Sequence, residues 1–444
     1  MAAVGHRGVH QLTMRTVRPI LGRGPKRWAS GSSSADVIVI GGGVMGSSIA
    51  LHLSNALGDG SGIKVIEPDA RYERASAPRS AGGIRLQFSN AINVQLSLFG
   101  MHFIKEGLHE LCSGLDVDTD VQFRENGYLT VATPGAGEEA LRENLSVQHA
   151  AGAAESILPM DVAAMREAFP WLSVEGLALG SFGARNEGYF DPWALLQAMR
   201  KGAIARGVEY IPHRLVNLET TGDGRVSTAV LGDGSKWSAG TFVNAAGANS
   251  GQVVAMCGEG VPQLPVKPRR RCMWLFTAPE SEAGKSPRPP SNTPLTIDPS
   301  GVYFRSEGSS PGRFVCGVSP SPENDFDWSE DRLDEVDDEL FEEVVWPALA
   351  TRVPAFECLR VESSWAGLYE YNTFDQNGVV GWHPTIGNLL LASGFSGHGL
   401  QHSPGVGRAC AELLHHGSYQ TLDLTCLGYK RIADNEPLLE RGIY

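Results

Sequence analysis

"DVIVIGGGVMGSSIALHL", residues 36–53, is the stretch from which the fold is read. Val37–Ile40 is a short β-branched apolar run, as in a strand buried on both faces. Gly41-Gly42-Gly43-Val44-Met45-Gly46 then spells G-x-G-x-x-G, and Ser47–Leu53 continues as a helix. Gly41 permits a tight turn, Gly43 lets a pyrophosphate approach the backbone, and Gly46 lets helix and strand pack closely. The N–H groups opening the helix, with Val44 and Met45 among them, supply partial positive charge for the phosphates. A second strand-length run, Ile63–Glu67, ends in a carboxylate 21 residues after Gly46. Glu67 is placed to accept both hydroxyls of a ribose.

The fingerprint alone does not separate NAD from FAD. No second fingerprint follows, which disfavours a reductase with separate FAD and NAD domains. The late stretch "SGFSGHGLQHSPGVG", residues 393–407, bears on the choice. It follows an apolar strand at Asn388–Ala392 and precedes a helix expected over Ser403–Leu414, with Ser403 as cap and Pro404 in the first turn. One dinucleotide has two ends: the early loop suits the ADP half, and this loop suits the other. A reduced flavin carries negative charge at N1 and the C2 carbonyl, which a helix N-terminus would stabilise. His398 and His402 stand four apart, but no Asp, Glu or Cys is interleaved, so no metal is expected. A third patch, "TFVNAAGANSG" (residues 241–251, including Gly247), is a strand ending in small residues, and Asp233-Gly234 before it reads as a hairpin turn.

Composition narrows the class. The chain has 444 residues and is 42% hydrophobic and 20% charged, within the globular range. Its formal charge of −13, with no broad basic stripe in the body of the chain, argues against a nucleic-acid partner. No transmembrane segment is evident, because the apolar run at 37–53 is broken by glycines and serines. Seven scattered cysteines without a Cys-x-x-Cys pair point to reduced thiols. Residues 1–34 are Arg-rich, Ser-rich and acid-free, and resemble a mitochondrial transit peptide. They imply residence in the matrix or on the matrix face of the inner membrane.

Together "VIVIGGGVMGSSIA", "VIEPD", "SAGGIRLQF", "FVNAAGANS" and "GFSGHGLQHSPGVG" resemble the D-amino-acid oxidase-like FAD-dependent oxidoreductases, in that family's order. The branch of sarcosine oxidase and dimethylglycine dehydrogenase is nearest. "SAGGIRLQFSNAINVQLSLF" and "FEEVVWPALATRVPAFE" look most like a mitochondrial member linked to respiratory complex I assembly. The resemblance implies an α/β (α+β) chain: a Rossmann-type FAD-binding domain (36–90, 180–255, 370–430) interleaved with an antiparallel-sheet substrate domain (91–180, 256–369), and a tail at 431–444. Alternating runs at Val121–Thr133, Leu264–Thr277 and Val302–Val318 agree with such a sheet.

Carried over by position, Gly41, Gly43 and Gly46 hold the pyrophosphate and Glu67 the ribose. Ser80, Gly82, Gly83, Ile84 and Arg85 pass beside the flavin ring, with Arg85 as the nearby cation. Val216 meets adenine through its backbone. Phe395, Gly397, His398, Gly399, Leu400 and Gln401 hold the pyrimidine end. The family's tethering cysteine falls at Tyr369 and the first flavin loop has no histidine, so FAD is expected to be non-covalent. The carboxylate-clamping basic residues fall at Phe88 and Gln401, and the oxygen-activating lysine falls near Val315–Cys316. Arg85, Tyr303 and Tyr371 remain as catalytic candidates. Two functions follow as expectations. One is a mitochondrial dehydrogenase of a small secondary or tertiary amine that passes electrons to a partner acceptor. The other is an FAD-stabilised assembly factor or accessory subunit of respiratory complex I.

Two charged features stand apart. The acidic stretch Ser321–Trp346 reads as a solvated helix with Leu333, Val336, Leu340 and Val344 facing inward. Arg269-Arg270-Arg271 sits at the expected start of a strand, where it would offset nearby acids or admit an anion.

Overall fold

The computed structural model describes residues 33–280 and 286–441. Of the presequence-like segment 1–34, residues 1–32 lie outside the described residues, whereas Ser33 and Ser34 belong to the first strand and pair with Trp237 and Ser238. Strand Ser33–Ile40 lies between Lys236–Asn244 and Ile63–Ile66, all parallel. Leu389–Ser393 and Glu209–Ile211 extend this sheet in parallel on either side, and Val379–Trp382 closes one edge antiparallel. A hairpin, Leu215–Thr221 and Arg225–Leu231, attaches antiparallel to Lys236–Asn244 and completes eight strands. The β-branched run at 37–40 is explained by burial of both sheet faces. Val37 and Val39 pack with the helices on one side, while Ile38 and Ile40 join a second core on the other.

Two helices cover the first face, Val44–Leu57 and Gly399–His416. They approach to near backbone contact: a Cβ on Gly407 would lie 2.1 Å from Ser48 Oγ. Helix Ala91–His102 packs on the late helix in the same manner, where a Cβ on Gly100 would lie 2.4 Å from the Gln401 carbonyl oxygen.

The late helix begins at Gly399, not at Ser403. Pro404 is therefore inside the helix, where its missing N–H leaves the Leu400 carbonyl without its usual partner. The Ser403 hydroxyl donates to that carbonyl at 2.9 Å, and this lets the helix run through the proline.

The second eight-stranded sheet runs in the order Arg360–Asn372, Val266–Thr277, Arg313–Gly317, Tyr303–Ser306, Leu295–Ile297, Tyr128–Ala132, Leu179–Gly183 and Ile157–Met160. Every pairing is antiparallel except Leu295–Ile297 with Tyr128–Ala132. One face is sealed by Phe276, Phe304 and Phe314 around Phe356, with ring centroids 4.9–5.1 Å from it. The other face is turned toward the first sheet's loops.

The acidic stretch is not one helix. It is a series of short turns until the Asp337 side chain accepts from Leu340 N–H at 3.0 Å and starts helical structure there. That late start sets a different phase: Phe341, Val345 and Leu349 are buried with Leu333, while Val344 is exposed. The three arginines hold the stretch. Arg271 pairs bidentately with Asp325 at 2.7 and 3.0 Å, Arg270 reaches Asp337 at 2.7 Å, and Arg269 reaches Asp327 at 3.2 Å.

The C-terminal residues are packed against the first sheet's loops. Arg431 pairs with Asp375 at 2.7 and 3.0 Å and donates to the Gly378 carbonyl at 2.9 Å, with both side chains buried. The Glu440 carboxylate accepts from Ser89 N–H at 2.8 Å and Asn93 Nδ2 at 2.9 Å. Arg431→Met is expected to lower stability by about 3 kcal/mol, because it strands the Asp375 carboxylate in a dry site. Urea unfolding of the variant against the parent measures this, and an unchanged midpoint would show the pair to be dispensable.

Candidate active site

A chamber of about 690 Å³ opens between the two sheets. Its floor is the G-x-G-x-x-G turn. Gly41 adopts φ +95°, and a Cβ there would lie 2.4 Å from the Ala245 carbonyl oxygen. A Cβ on Gly46 would lie 1.9 Å from the Gly41 carbonyl oxygen, so helix and turn meet only through glycine. Gly43 lines the chamber, and a Cβ there would meet nothing within 4 Å. Glu67 is held beside this turn, accepting from Gly42 N–H at 2.9 Å and Asp69 N–H at 3.0 Å. Burial raises its pKa, and the two N–H groups oppose that shift.

Fifteen of the site residues read from the sequence line this one chamber: Gly41, Gly43, Val44, Met45, Glu67, Ser80, Gly82, Gly83, Arg85, Gly247, Gly397, His398, Gly399, Leu400 and Gln401. Tyr303 lines it as well. Gly46 and Ile84 are buried behind the wall, and Phe395 is buried with its ring against Gly378. Val216 is absent from the lining and its side chain is exposed, although its neighbours Arg214 and Leu215 line the chamber. Tyr371 also falls outside the lining, near Arg269 and Arg271.

The early and late loops are joined by a side chain. Gln401 Oε1 accepts from Arg85 N–H at 2.7 Å. The Arg85 guanidinium lies 4.1 Å from the Phe88 ring centroid and donates to the Gln87 carbonyl. His398 is buried at the start of the late helix. Burial, and then the Arg85 charge, lower its pKa to about 3, so it is neutral. Its Nε2 has no hydrogen-bond partner among the described residues. An orphaned ring nitrogen, an open cradle at Gly43 and an open Gly247 fit a polar ligand that fills the chamber.

Of the aromatic wall, sequence reading named Tyr303 as a candidate but not the wall it forms with Tyr128 and Tyr369. Tyr128, Tyr303 and Tyr369 each sit over a glycine. A Cβ would come within 1.8 Å of the Tyr128 hydroxyl at Gly83, 2.6 Å of the Tyr303 hydroxyl at Gly317, and 2.3 Å of the Tyr369 ring at Gly397. Met273, Leu295 and Ile297 fill in among them, and the Tyr303 hydroxyl contacts Met273 Sδ at 3.1 Å. Burial raises the pKa of all three tyrosines, which remain protonated donors. Arg271 also lines the chamber, 4.9 Å from the Tyr369 ring centroid, but Asp325 takes its charge. A period-two reading of the strand (Arg269, Arg271, Met273) was the one available signal for Arg271 and Met273. Nothing local marks Leu295 or Ile297.

Parallel strands that end beneath two helix N-termini, with a carboxylate at the second strand, define a dinucleotide-binding protein. The chain belongs to the family described as "FAD dependent oxidoreductase", which matches residues 36–413. It is 42% identical over 438 residues to "FAD-dependent oxidoreductase domain-containing protein 1" of Xenopus laevis, covering 92% of this chain and 85% of that protein. It is 24% identical to "Dimethylglycine dehydrogenase, mitochondrial" of Mus musculus, covering 88% of this chain but 43% of that protein. The crystal structure of L-proline dehydrogenase from P. horikoshii superposes with a TM-score of 0.76 at 21% identity, covering 91% of this chain and all of the other, and this likeness shows the fold.

Glu370 also lines the chamber, accepting from Gly394 N–H at 3.1 Å. Burial raises its pKa from the ordinary 4.5 to about 7. The folded state therefore binds this proton more tightly than the unfolded chain. The stabilisation is full below the ordinary value and is lost as pH rises through about 7. Each tenfold change in proton affinity is worth about 1.4 kcal/mol. Glu370→Gln should flatten the fall in melting temperature between pH 5 and pH 8, with Glu187, also raised to about 7, left as the remaining slope. Parallel curves for parent and variant would refute it.

Proposed function

We propose that the chain is a mitochondrial dehydrogenase of a small secondary or tertiary amine, N-methyl amino acid-like, with FAD bound non-covalently and electrons passed to a partner acceptor. One observation carries this reading: a neutral tyrosine wall faces a chamber floored by two helix N-termini. Bound there, FAD would supply a hydride acceptor for the carbon–hydrogen bond beside the amine nitrogen. Residues 36–90, 180–255 and 370–430 would form the cofactor domain, and 91–180 and 256–369 the substrate domain. Glu67 would hold the ribose and the Gly43–Gly46 N–H groups the pyrophosphate. The Gly397–Gln401 segment would take the ring's pyrimidine end.

Tyr128, Tyr303 and Tyr369 would orient the amine and exclude water, donating hydrogen bonds rather than taking protons. No base is needed if the amine enters neutral. No cysteine lines the chamber among the described residues, which supports non-covalent FAD. The "mitochondrial" in the printed name of the dimethylglycine dehydrogenase relative supports the location.

A second reading has its own motive. Phe88 stands in place of a basic clamp, and Arg271 is neutralised by Asp325. A chamber poor in free charge also suits an FAD-stabilised assembly factor or accessory subunit of respiratory complex I. Purified protein is expected to be yellow, to release its flavin on acid precipitation, and to bleach under nitrogen with sarcosine or N,N-dimethylglycine. A yellow protein that no amine bleaches, and that co-purifies with complex I intermediates, would select the second reading. A colourless protein without affinity for FAD would refute both.

A further inference from the structure

A second cavity, of about 430 Å³, lies on the same face of the antiparallel sheet. Trp365, Met273, Gly317 and Tyr303 stand opposite one another across four strands. The next row on that face is Ser363, Leu275, Val315 and Arg305. The first row reaches the chamber and the second leads away from it. Ser80, Ala81 and Met273 line both cavities, so the loop at 79–81 is a shared partition. It is fastened from the second side: Arg305 Nε donates to the Ala81 carbonyl at 2.9 Å, and Trp365 Nε1 to the Arg79 carbonyl at 2.8 Å.

The charges in this cavity are Arg124, Arg305, Arg313, Asp191 and Glu307. Arg305 pairs with Glu307, and Arg313 with Glu362 at 2.9 Å. Asp191 caps the helix Pro192–Ala205 by accepting from Trp193 N–H at 2.8 Å. Arg124 differs. Its backbone is fixed to Tyr189 in both directions, at 2.8 and 3.1 Å. Its guanidinium has no hydrogen bond or ion pair among the described residues. Trp365, Leu275, Val315, Phe190 and Pro192 supply apolar surface around it.

We propose that this cavity binds a small organic carboxylate with a compact apolar or aromatic body, received by Arg124. The planar guanidinium fork matches a carboxylate, and the apolar surface selects against a bare hydrated anion. Through Arg305 and Ala81 the occupant bears on the loop that lines the flavin chamber. The coupling alone rests on the flavin reading.

The test is calorimetric titration of the full-length, FAD-loaded protein with benzoate, benzamide and inorganic phosphate, followed in parallel by the visible flavin band. Benzoate is expected to bind and to shift the band. Benzamide and phosphate should bind at least about tenfold more weakly, and Arg124→Ala should weaken benzoate by about tenfold or more, the loss of one charge-assisted pair. Leu275→Trp, which fills the cavity from the sheet, should do the same with flavin content and melting temperature retained. Absence of benzoate binding, phosphate binding as tightly as benzoate, or affinity unchanged in both variants would overturn the site. Binding that leaves the band unmoved would overturn the coupling. A colourless protein that binds benzoate through Arg124 would refute the flavin reading and support the site.

Discussion

The near-contact crossing of two helices is the constraint on which the molecule depends. Gly407 and Ser48 allow the helices Val44–Leu57 and Gly399–His416 to meet almost backbone to backbone. Their N-termini therefore open toward one cavity, at the carboxyl ends of the parallel strands Ser33–Ile40 and Leu389–Ser393 that flank Lys236–Asn244. A larger residue at 407 would spread the helices and separate the loops at 41–46 and 397–401. The Arg85–Gln401 hydrogen bond at 2.7 Å would be lost with that convergence. The tyrosine wall depends on it less directly, through Gly397 beneath Tyr369.

The sequence made the parallel sheet legible because its signals are local. A β-branched run, a glycine turn and an acid at a fixed distance each act within a few residues of one another. The late helix was misjudged at its start because glycines and Pro404 imitate a loop. The Ser403 hydroxyl that rescues the Leu400 carbonyl is a compensation that composition does not announce. The acidic stretch failed similarly, since the Asp337 cap, not hydrophobic period, decides where its helix begins. Tyr128 was beyond reach, and Tyr369 was placed only by resemblance, for another reason. They come from strands far apart in sequence and share a wall through the packing of the sheet and loops, a long-range property. Val216 and Tyr371 lie outside the chamber lining, although their neighbours Leu215 and Glu370 belong to it.

The electrostatics of the chamber follow from burial more than from its formal charges. His398 is neutral, the three tyrosines remain protonated, Glu370 is raised toward neutrality, and Arg271 is matched by Asp325. A site of this kind discriminates by shape and hydrogen-bond direction, because it has little net charge to attract or repel a ligand. It also avoids the desolvation of an unpaired ion, which in a dry chamber would exceed the gain from any single contact. The same logic accounts for the Arg269–Arg271 run. Clustered cations are tolerable on that strand because the acidic segment at 325–337 folds back to meet them, and this also anchors a stretch otherwise poor in regular structure.

One face of the antiparallel sheet thus serves two cavities, and the loop at 79–83 is the boundary between them. Its carbonyls are tied to Arg305 and Trp365, while Gly83 gives way to the Tyr128 hydroxyl. A loop held from behind by an arginine and a tryptophan has few ways to move alone. Any displacement must carry Arg305, and with it the Glu307 pair, or else break a partly buried hydrogen bond. The strands on that face are pinned by cross-strand pairing over as many as twelve registered positions, so the loop is the lighter element between the two cavities. Ser80 and Ala81 are small enough to leave both cavities open on either side of a single strand of backbone. That thinness is what places chemistry in the chamber within one side chain's reach of events in its neighbour.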